Sequence, residues 1–260
     1  MPDFDTSVPH IARVYDYWLG GKDNFAADRE LGEQTLQAYP NLVFSVRANR
    51  AFLARAVGFL AGETGIRQFL DIGTGIPTAN NTHEVAQQIT PEARIVYVDN
   101  DPIVLSHARA LLKSSKQGAC AYLDADLRDP DTILAAAAGT LDFSQPVAIM
   151  LIAVMHFIGD DARASAIINQ LTAACVPGSY VVISHVGGDI DTVQQTEMVR
   201  RLNQSVAEKA TMRDRAGVTR LFDGLELLAP GVVRVSDWRP NSDLEAARPT
   251  GLWGGVAKKS

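Results

Sequence analysis

Long apolar runs are missing from this sequence: none approaches the roughly 20 residues that a bilayer-spanning helix needs, so a helical membrane protein is excluded. Cysteine is nearly absent. Cys120 and Cys175 stand far apart, neither with a histidine or second cysteine at metal-ligand spacing, which removes a disulfide framework and a metal site; both read as small buried apolar groups. The opening MPDFDTSVPH has no basic stretch followed by an apolar core, so no secretory leader is expected and a cytoplasmic setting is the default. Positive charge is in deficit, 24 Lys and Arg against 30 Asp and Glu for a formal net charge of −6, and nucleic acid is therefore not an expected partner. Arg47, Arg50 and Arg55 leave room for a local basic patch, against the plainer reading that they form the solvated face of a helix. Internal repeats and low-complexity segments are lacking too.

What is present is an ordinary globular balance, 47 % hydrophobic and 21 % charged, in 260 residues: enough for one α/β domain with an extension. From about Val8 to Leu60 apolar residues recur at helical spacing, predicting two or three helices. Gly20 and Gly21 break the first, Pro40 and Asn41 separate the next two, and Asn41 is placed to cap the last. From Gln68 the texture changes to short apolar runs, at 67–72, 93–98, 118–123, 146–153 and 179–186, alternating with helical stretches near 78–88, 103–113, 131–138 and 160–174. That alternation predicts βαβ units in a doubly wound, mostly parallel sheet. Beyond Val186 come a polar helix at 191–209, a short helix near 218–224, and two apolar runs, 231–238 and 251–259, suited to an antiparallel pair closing a seven-stranded sheet. The expected division is a helical extension or lid over residues 1–62 and a Rossmann-like core over 63–260.

Chemistry gathers at the predicted strand ends. Phe69-Leu70-Asp71-Ile72-Gly73-Thr74-Gly75-Ile76-Pro77 delivers a strand into a glycine turn, where backbone can approach a ligand and a helix start offers unpaired N–H groups; Pro77 suits the first helical turn. A tight turn of purely structural purpose would look similar. The next strand ends in Asp99-Asn100-Asp101-Pro102, and an acid there can accept hydrogen bonds from both ribose hydroxyls. Helix capping is the competing role for Asp99, but Asp101 before Pro102 already suits it. A dinucleotide fingerprint would want a third glycine where Thr78 stands, which counts against NAD and an oxidoreductase. Asp71 would repel a pyrophosphate yet attract the ammonium of a methionyl group, which favours S-adenosylmethionine. At the third strand end, Asp126 could accept from an adenine amino group while Leu127 packs on the ring.

With three strand ends in register, these residues resemble the motifs of class I S-adenosylmethionine-dependent methyltransferases. The resemblance implies that Asp71, Gly73, Thr74 and Gly75 hold the methionyl part, Asp99 and Asn100 the ribose, and Asp126 and Leu127 the adenine, with Ala153 after the fourth strand beside them. Pro77 departs from the pattern, since many members carry a third glycine there. The run Tyr15-Asp16-Tyr17-Trp18-Leu19-Gly20-Gly21-Lys22-Asp23-Asn24-Phe25, with Arg47-Ala48-Asn49-Arg50, is similar to an actinobacterial methyltransferase family over nearly the whole chain. That implies fold and cofactor, not acceptor. The aromatic run is expected either to fold over the cofactor, with Tyr15, Tyr17 or Trp18 as walls and Lys22 or Asn24 as polar contacts, or simply to anchor the helices on the sheet.

The fourth strand ends Ile152-Ala153-Val154-Met155-His156-Phe157, without the Asn-Pro-Pro-Tyr of DNA adenine methylases, so adenine N6 methylation is not expected; the acidic charge and the helical lid instead favour a small-molecule acceptor. His156 resembles the histidine that small-molecule methyltransferases carry after this strand and is the candidate base, against a structural role. A nonenzymatic protein that binds the cofactor to regulate a partner is the other reading.

Overall fold

Alternation within the five apolar runs decides the architecture. In a computed structural model that describes residues 5–104, 106, 114–243 and 250–260, they become parallel strands β1 (Gln68–Ile72), β2 (Arg94–Asp99), β3 (Ala119–Asp124), β4 (Ala148–Ile152) and β5 (Tyr180–Val186). Leu70, Val96, Ile149 and Ile183 point to one face, while Phe69, Ile95, Met150 and Val182 point to the other, and all are essentially buried. A sheet covered on both faces needs apolar side chains at every position, which is why the runs are continuous.

The first face is covered by α5 (Pro130–Ala137), α6 (Asp161–Ala173) and α8 (Arg215–Arg220). The second is covered by the 21-residue helix α3 (Leu42–Gly62) and by α4 (Thr82–Ile89). Strand order is β3-β2-β1-β4-β5, followed by β8 (Leu252–Lys258), antiparallel to β5, and β6 (Glu226–Leu227) at the edge. The chain therefore steps outward from β1 to β3, returns to the middle at β4, and leaves a switch point between β1 and β4.

A third apolar cluster sits apart from the sheet. Val14 and Trp18 of α1 (Ile11–Leu19), Leu31 of α2 (Ala26–Ala38), Tyr39, Val46, and Met198, Val199 and Leu202 of α7 (Thr192–Ser205) pack together. The first 62 residues thus pack in two places: α1 and α2 against α7, α3 mainly against the sheet. Among the described residues no helix is long and apolar enough to cross a membrane.

Some expectations are corrected. The helix expected at 78–88 starts at Thr82, because Asn81 and Glu84 form a capping box there: Glu84 Oε2 accepts from Asn81 N at 2.8 Å. Pro77 consequently lies in the loop before the helix. Asn41 holds the N-cap position of α3 but its side chain makes no capping bond. The run 231–238 yields only the two-residue β7 (Val233–Arg234), which pairs with β8 near its start, while β6 pairs near its end, so among the described residues the sheet has eight strands. Cys175 is buried, but Cys120, on edge strand β3, is only half-buried. The helix expected at 103–113 falls mostly outside the described residues; 102–104 are helical.

One buried pair ties the N-terminal helices together. Arg13 Nε lies 2.9 Å from Asp28 Oδ2, and Asp28, fully buried, also accepts from His10 N and Phe25 N. Asp28→Ala would leave a guanidinium buried without its partner, at an expected cost of about 3–5 kcal/mol. Chemical denaturation checks this, and an unchanged midpoint would mean that α1 and α2 are held by apolar contact alone.

Candidate functional site

Ligand crevices in doubly wound sheets open beyond the C-terminal strand ends at the switch point. A cavity lies there, floored by the ends of β1 to β4 and covered by α1 and α3. On its floor stand Asp71, Gly73, Thr74 and Gly75 from β1 and its turn, Asp99 and Asn100 from β2, Asp126 and Leu127 after β3, and Ala153 after β4. All nine strand-end residues singled out in the sequence are therefore brought together.

The glycine turn is closed against β2, Gly73 N donating to Val98 O at 2.8 Å. Gly73 and Gly75 both have positive φ, 74° and 65°. A Cβ on Gly73 would run into Val154, whereas one on Gly75 would meet nothing within 4 Å, so the backbone at Gly75 stands open to a ligand.

Asp99 accepts from Gly75 N at 2.8 Å through Oδ2 and from Asp101 N at 3.0 Å through Oδ1. Burial lifts its pKa and those two N–H groups hold it back. Asp71 is buried and accepts from Thr82 Oγ1 at 2.5 Å; burial pushes its pKa up to about 6, opposed by that bond and by the positive field of Arg50. Asp126 is half-buried at the rim. Burial opposes its charge, but Arg128, donating from both N and Nε at 2.8 Å, outweighs this and holds its carboxyl below the usual range.

Of the N-terminal candidates only Tyr15 reaches the cavity. Its hydroxyl accepts from Asn49 Nδ2 at 3.0 Å; Asn49 Oδ1 accepts from Ser184 Oγ at 2.6 Å; and Ser184 Oγ accepts from Ala153 N at 2.9 Å. This buried chain links the cover to the ends of β4 and β5, and it holds Ala153 at φ 54°, unusual for a residue other than glycine. Trp18 is buried in the third cluster and donates to Thr35 Oγ1, and Tyr17 packs on Gly32, so both anchor helices. Asn24 is turned inward to Asp16 Oδ2 at 2.8 Å, and Lys22 is exposed on the same loop; neither lines the cavity. The cause is Asp16, which also accepts from Asp23 N and folds the loop back onto α1.

His156 stands behind the cavity wall rather than in it. Its ring is buried against Phe157 and His185, with centroids 4.3 and 5.6 Å away, and its Nδ1 has no partner. Burial pushes its pKa well below the usual histidine value, and the charge of Arg213 adds to this. His185 Nε2 faces Arg213 Nη1 at 2.8 Å. The three arginines form neither the solvated helix face of the plainer reading nor the alternative basic patch: Arg47 is exposed, Arg55 donates to the carbonyls of Trp238 and Val235, and Arg50 turns into the cavity.

The structure adds residues that sequence spacing did not point to. His10 lines the cavity with Nδ1 2.9 Å from Asp101 Oδ2; burial disfavours its charge, but Asp101 wins and raises its pKa. Glu208, beyond α7, closes the rim 3.7 Å from Arg128. Asn49 and Ser184 come from elements 135 residues apart. Nothing in a single sequence announces such a pairing; Asn49 and Arg50 carried a signal only as members of the Arg47-Ala48-Asn49-Arg50 run.

A parallel sheet with this order, and a cavity lined by an acid at each of its first three strand ends, define the Rossmann-like methyltransferase fold. The chain belongs to the S-adenosyl methyltransferase family, whose model matches residues 1–260, and its cofactor is S-adenosylmethionine. It is similar to a crystal structure of a duf574 family protein from Streptomyces avermitilis (42 % identity, 98 % of this chain and 99 % of that one, TM-score 0.94). A candidate methyltransferase from Thermobifida fusca is likewise 42 % identical over 100 % of this chain and 98 % of that one, with a TM-score of 0.91. Human N-acetylserotonin methyltransferase, crystallised with S-adenosylmethionine, shares the fold alone, at 14 % identity over 98 % of this chain and 63 % of that one, TM-score 0.50. No curated protein matches the sequence.

The buried histidines make a stability prediction. Burial pushes His185 down to about 4, so between pH 4 and 6.5 the unfolded chain binds more protons than the folded one and stability rises with pH. From pH 7.5 to pH 5 this histidine is expected to remove about 2 kcal/mol. Unfolding free energies of the native chain and His185→Gln at the two pH values check it; parallel pH slopes would show that His185 does not titrate on unfolding.

Proposed function

We propose that this protein transfers the methyl group of S-adenosylmethionine to a small acceptor with a largely apolar body. The observation that carries the reading is the convergence of Asp71, Asp99 and Asp126 on one cavity at the switch point. The residues suit the cofactor. Each oxygen of Asp99 holds one N–H and retains a further lone pair, which suits two ribose hydroxyls, with Asn100 alongside. Asp126 and Leu127 offer adenine an acceptor and an apolar face, while Asp71, with Gly73, Thr74 and the open backbone of Gly75, offers the ammonium a carboxylate.

When bound, the cofactor supplies a methyl on sulfonium, already electrophilic. The chain's work is to align the acceptor and keep water out. Ala12 and Tyr15 of α1, Leu53 of α3, Ala153, and Phe157 and Ile158 beyond β4 make the acceptor wall largely apolar. Tyr15 is fixed there by Asn49, so the wall is pre-arranged. No side chain need move a proton if the acceptor reacts as a free amine or an ionised oxygen, and His156, behind the wall, is given no such task. A covered cavity with dispersed arginines favours a small acceptor over nucleic acid.

Isothermal titration with S-adenosylhomocysteine tests the nucleoside contacts: Asp99→Ala is expected to weaken binding about 10- to 100-fold, the worth of one or two hydrogen bonds to a charged group. Unchanged affinity would remove Asp99 from the site. Because Asp71 titrates near 6, its attraction for an ammonium grows as pH rises through that value, and binding at pH 5 is expected to be about tenfold weaker than at pH 7.5. Asp71→Asn should flatten that difference; an equal pH dependence in the variant would place the titration elsewhere. Release of S-adenosylhomocysteine across a panel of apolar amines, phenols and acids then separates an enzyme from a protein that only binds the cofactor.

A further inference from the structure

Arg50 is the residue that the reading above leaves over. It projects from α3 into the cavity at the end occupied by Asp71, Gly73 and Thr74. Its Nη2 reaches Ala79 O at 3.2 Å, Asn80 O at 3.3 Å and Asn81 Oδ1 at 3.4 Å, three long contacts to neutral acceptors. Its Nε is buried with no partner, although buried N–H donors are nearly always paired. Among the described residues no carboxylate lies within ion-pair distance of it: Asp99 is held by backbone N–H groups, Asp126 by Arg128, and Asp71 by Thr82. Yet its charge is felt at both Asp71 and Tyr15.

A guanidinium tethered on one side, with an unpaired buried donor, faces a cavity otherwise rich in acid. Beside it is a buried carboxylate close enough to interact but not paired with it. Such a gap between opposite charges fits a ligand group that carries both signs, and an α-amino acid carries an ammonium and a carboxylate on one carbon. We propose that Arg50 and Asp71 form a two-pronged clamp for the amino-acid head of the cofactor, with Arg50 taking the carboxylate and Asp71 the ammonium. This rests on the cofactor reading above and gives α3 a direct role in binding. The tether to the 79–81 loop holds the guanidinium at the cavity, so part of the ordering cost is met before the ligand arrives. An acidic acceptor is the other possible source of a carboxylate for Arg50, and the test separates the two.

The experiment is calorimetry of the native chain, Arg50→Ala and Arg50→Lys with two probes: S-adenosylhomocysteine, and 5′-methylthioadenosine, which shares the nucleoside and lacks the amino-acid head. Arg50→Ala is expected to weaken S-adenosylhomocysteine about 10- to 100-fold and to leave methylthioadenosine unchanged, with Arg50→Lys between the native chain and Arg50→Ala. Retained methylthioadenosine binding also shows that the variant is folded. Decarboxylated S-adenosylmethionine closes the cycle, since removing the ligand carboxylate and removing Arg50 should not add. Equal loss for both probes would make Arg50 structural, and no loss for either would leave its guanidinium to an acidic acceptor; each overturns the clamp. Failure of the native chain to bind either probe would instead overturn the cofactor reading.

Discussion

Everything in this molecule depends on the reversal of strand order between β1 and β4. The chain steps outward from β1 through β2 to β3, and β4 then joins on the other side of β1. At that reversal the loops after β1 and β4 leave the sheet in opposite directions, opening a gap beyond the strand ends. Asp71, Asp99 and Asp126 line the gap because each stands in or just beyond the end of its strand. The same constraint makes the strands apolar throughout, since helices must cover both faces.

The gap is roofed by parts of the chain that do not belong to the sheet. α1 and α2, joined through Arg13 and Asp28, bury their apolar sides against α7, which lies in the long excursion between β5 and β6. The aromatic run in α1 therefore serves two purposes. Trp18 and Tyr17 secure the roof, and Tyr15 alone becomes a wall of the site. Asp16 turns the following loop away, which takes Lys22 and Asn24 out of reach.

Roof and floor are joined by hydrogen bonds rather than by apolar contact alone. Ala153, Ser184, Asn49 and Tyr15 form a buried chain running from the ends of β4 and β5 through α3 to α1. Polar groups so deeply buried are satisfied in one geometry only, so the chain fixes where Tyr15 sits relative to the strand ends. Arg50, one residue after Asn49, is carried by the same stretch of α3 into the cavity that Asp71, Gly73 and Thr74 also line. A site built this way presents most of its ligand contacts already positioned, as alignment-dominated chemistry requires.

How much of this could be read from the sequence follows from range. The strands, the glycine turn and the acids at the strand ends were legible because each depends on neighbours a few residues away: alternating burial, φ above zero, a carboxylate at the end of a run. Position at a strand end then sufficed to bring Asp71, Asp99 and Asp126 together, since a parallel sheet aligns its ends. The start of α4 escaped because the Asn81 and Glu84 capping box outweighed Pro77, a competition between two local signals. The brevity of β7 was decided by how much of β8 it could pair with. His156, the candidate base set against a structural role, shows the same limit: chain position put it near the site, while the direction of its ring was set by packing against Phe157 and His185. By itself the sequence determined the sheet, its order of acids and hence the cofactor, because those rest on periodicity and local backbone demands. Only the tertiary structure decided which side chains roof the cavity, which arginine enters it and which histidine leaves it, because those outcomes depend on contacts between separate elements of the chain rather than on neighbours within one.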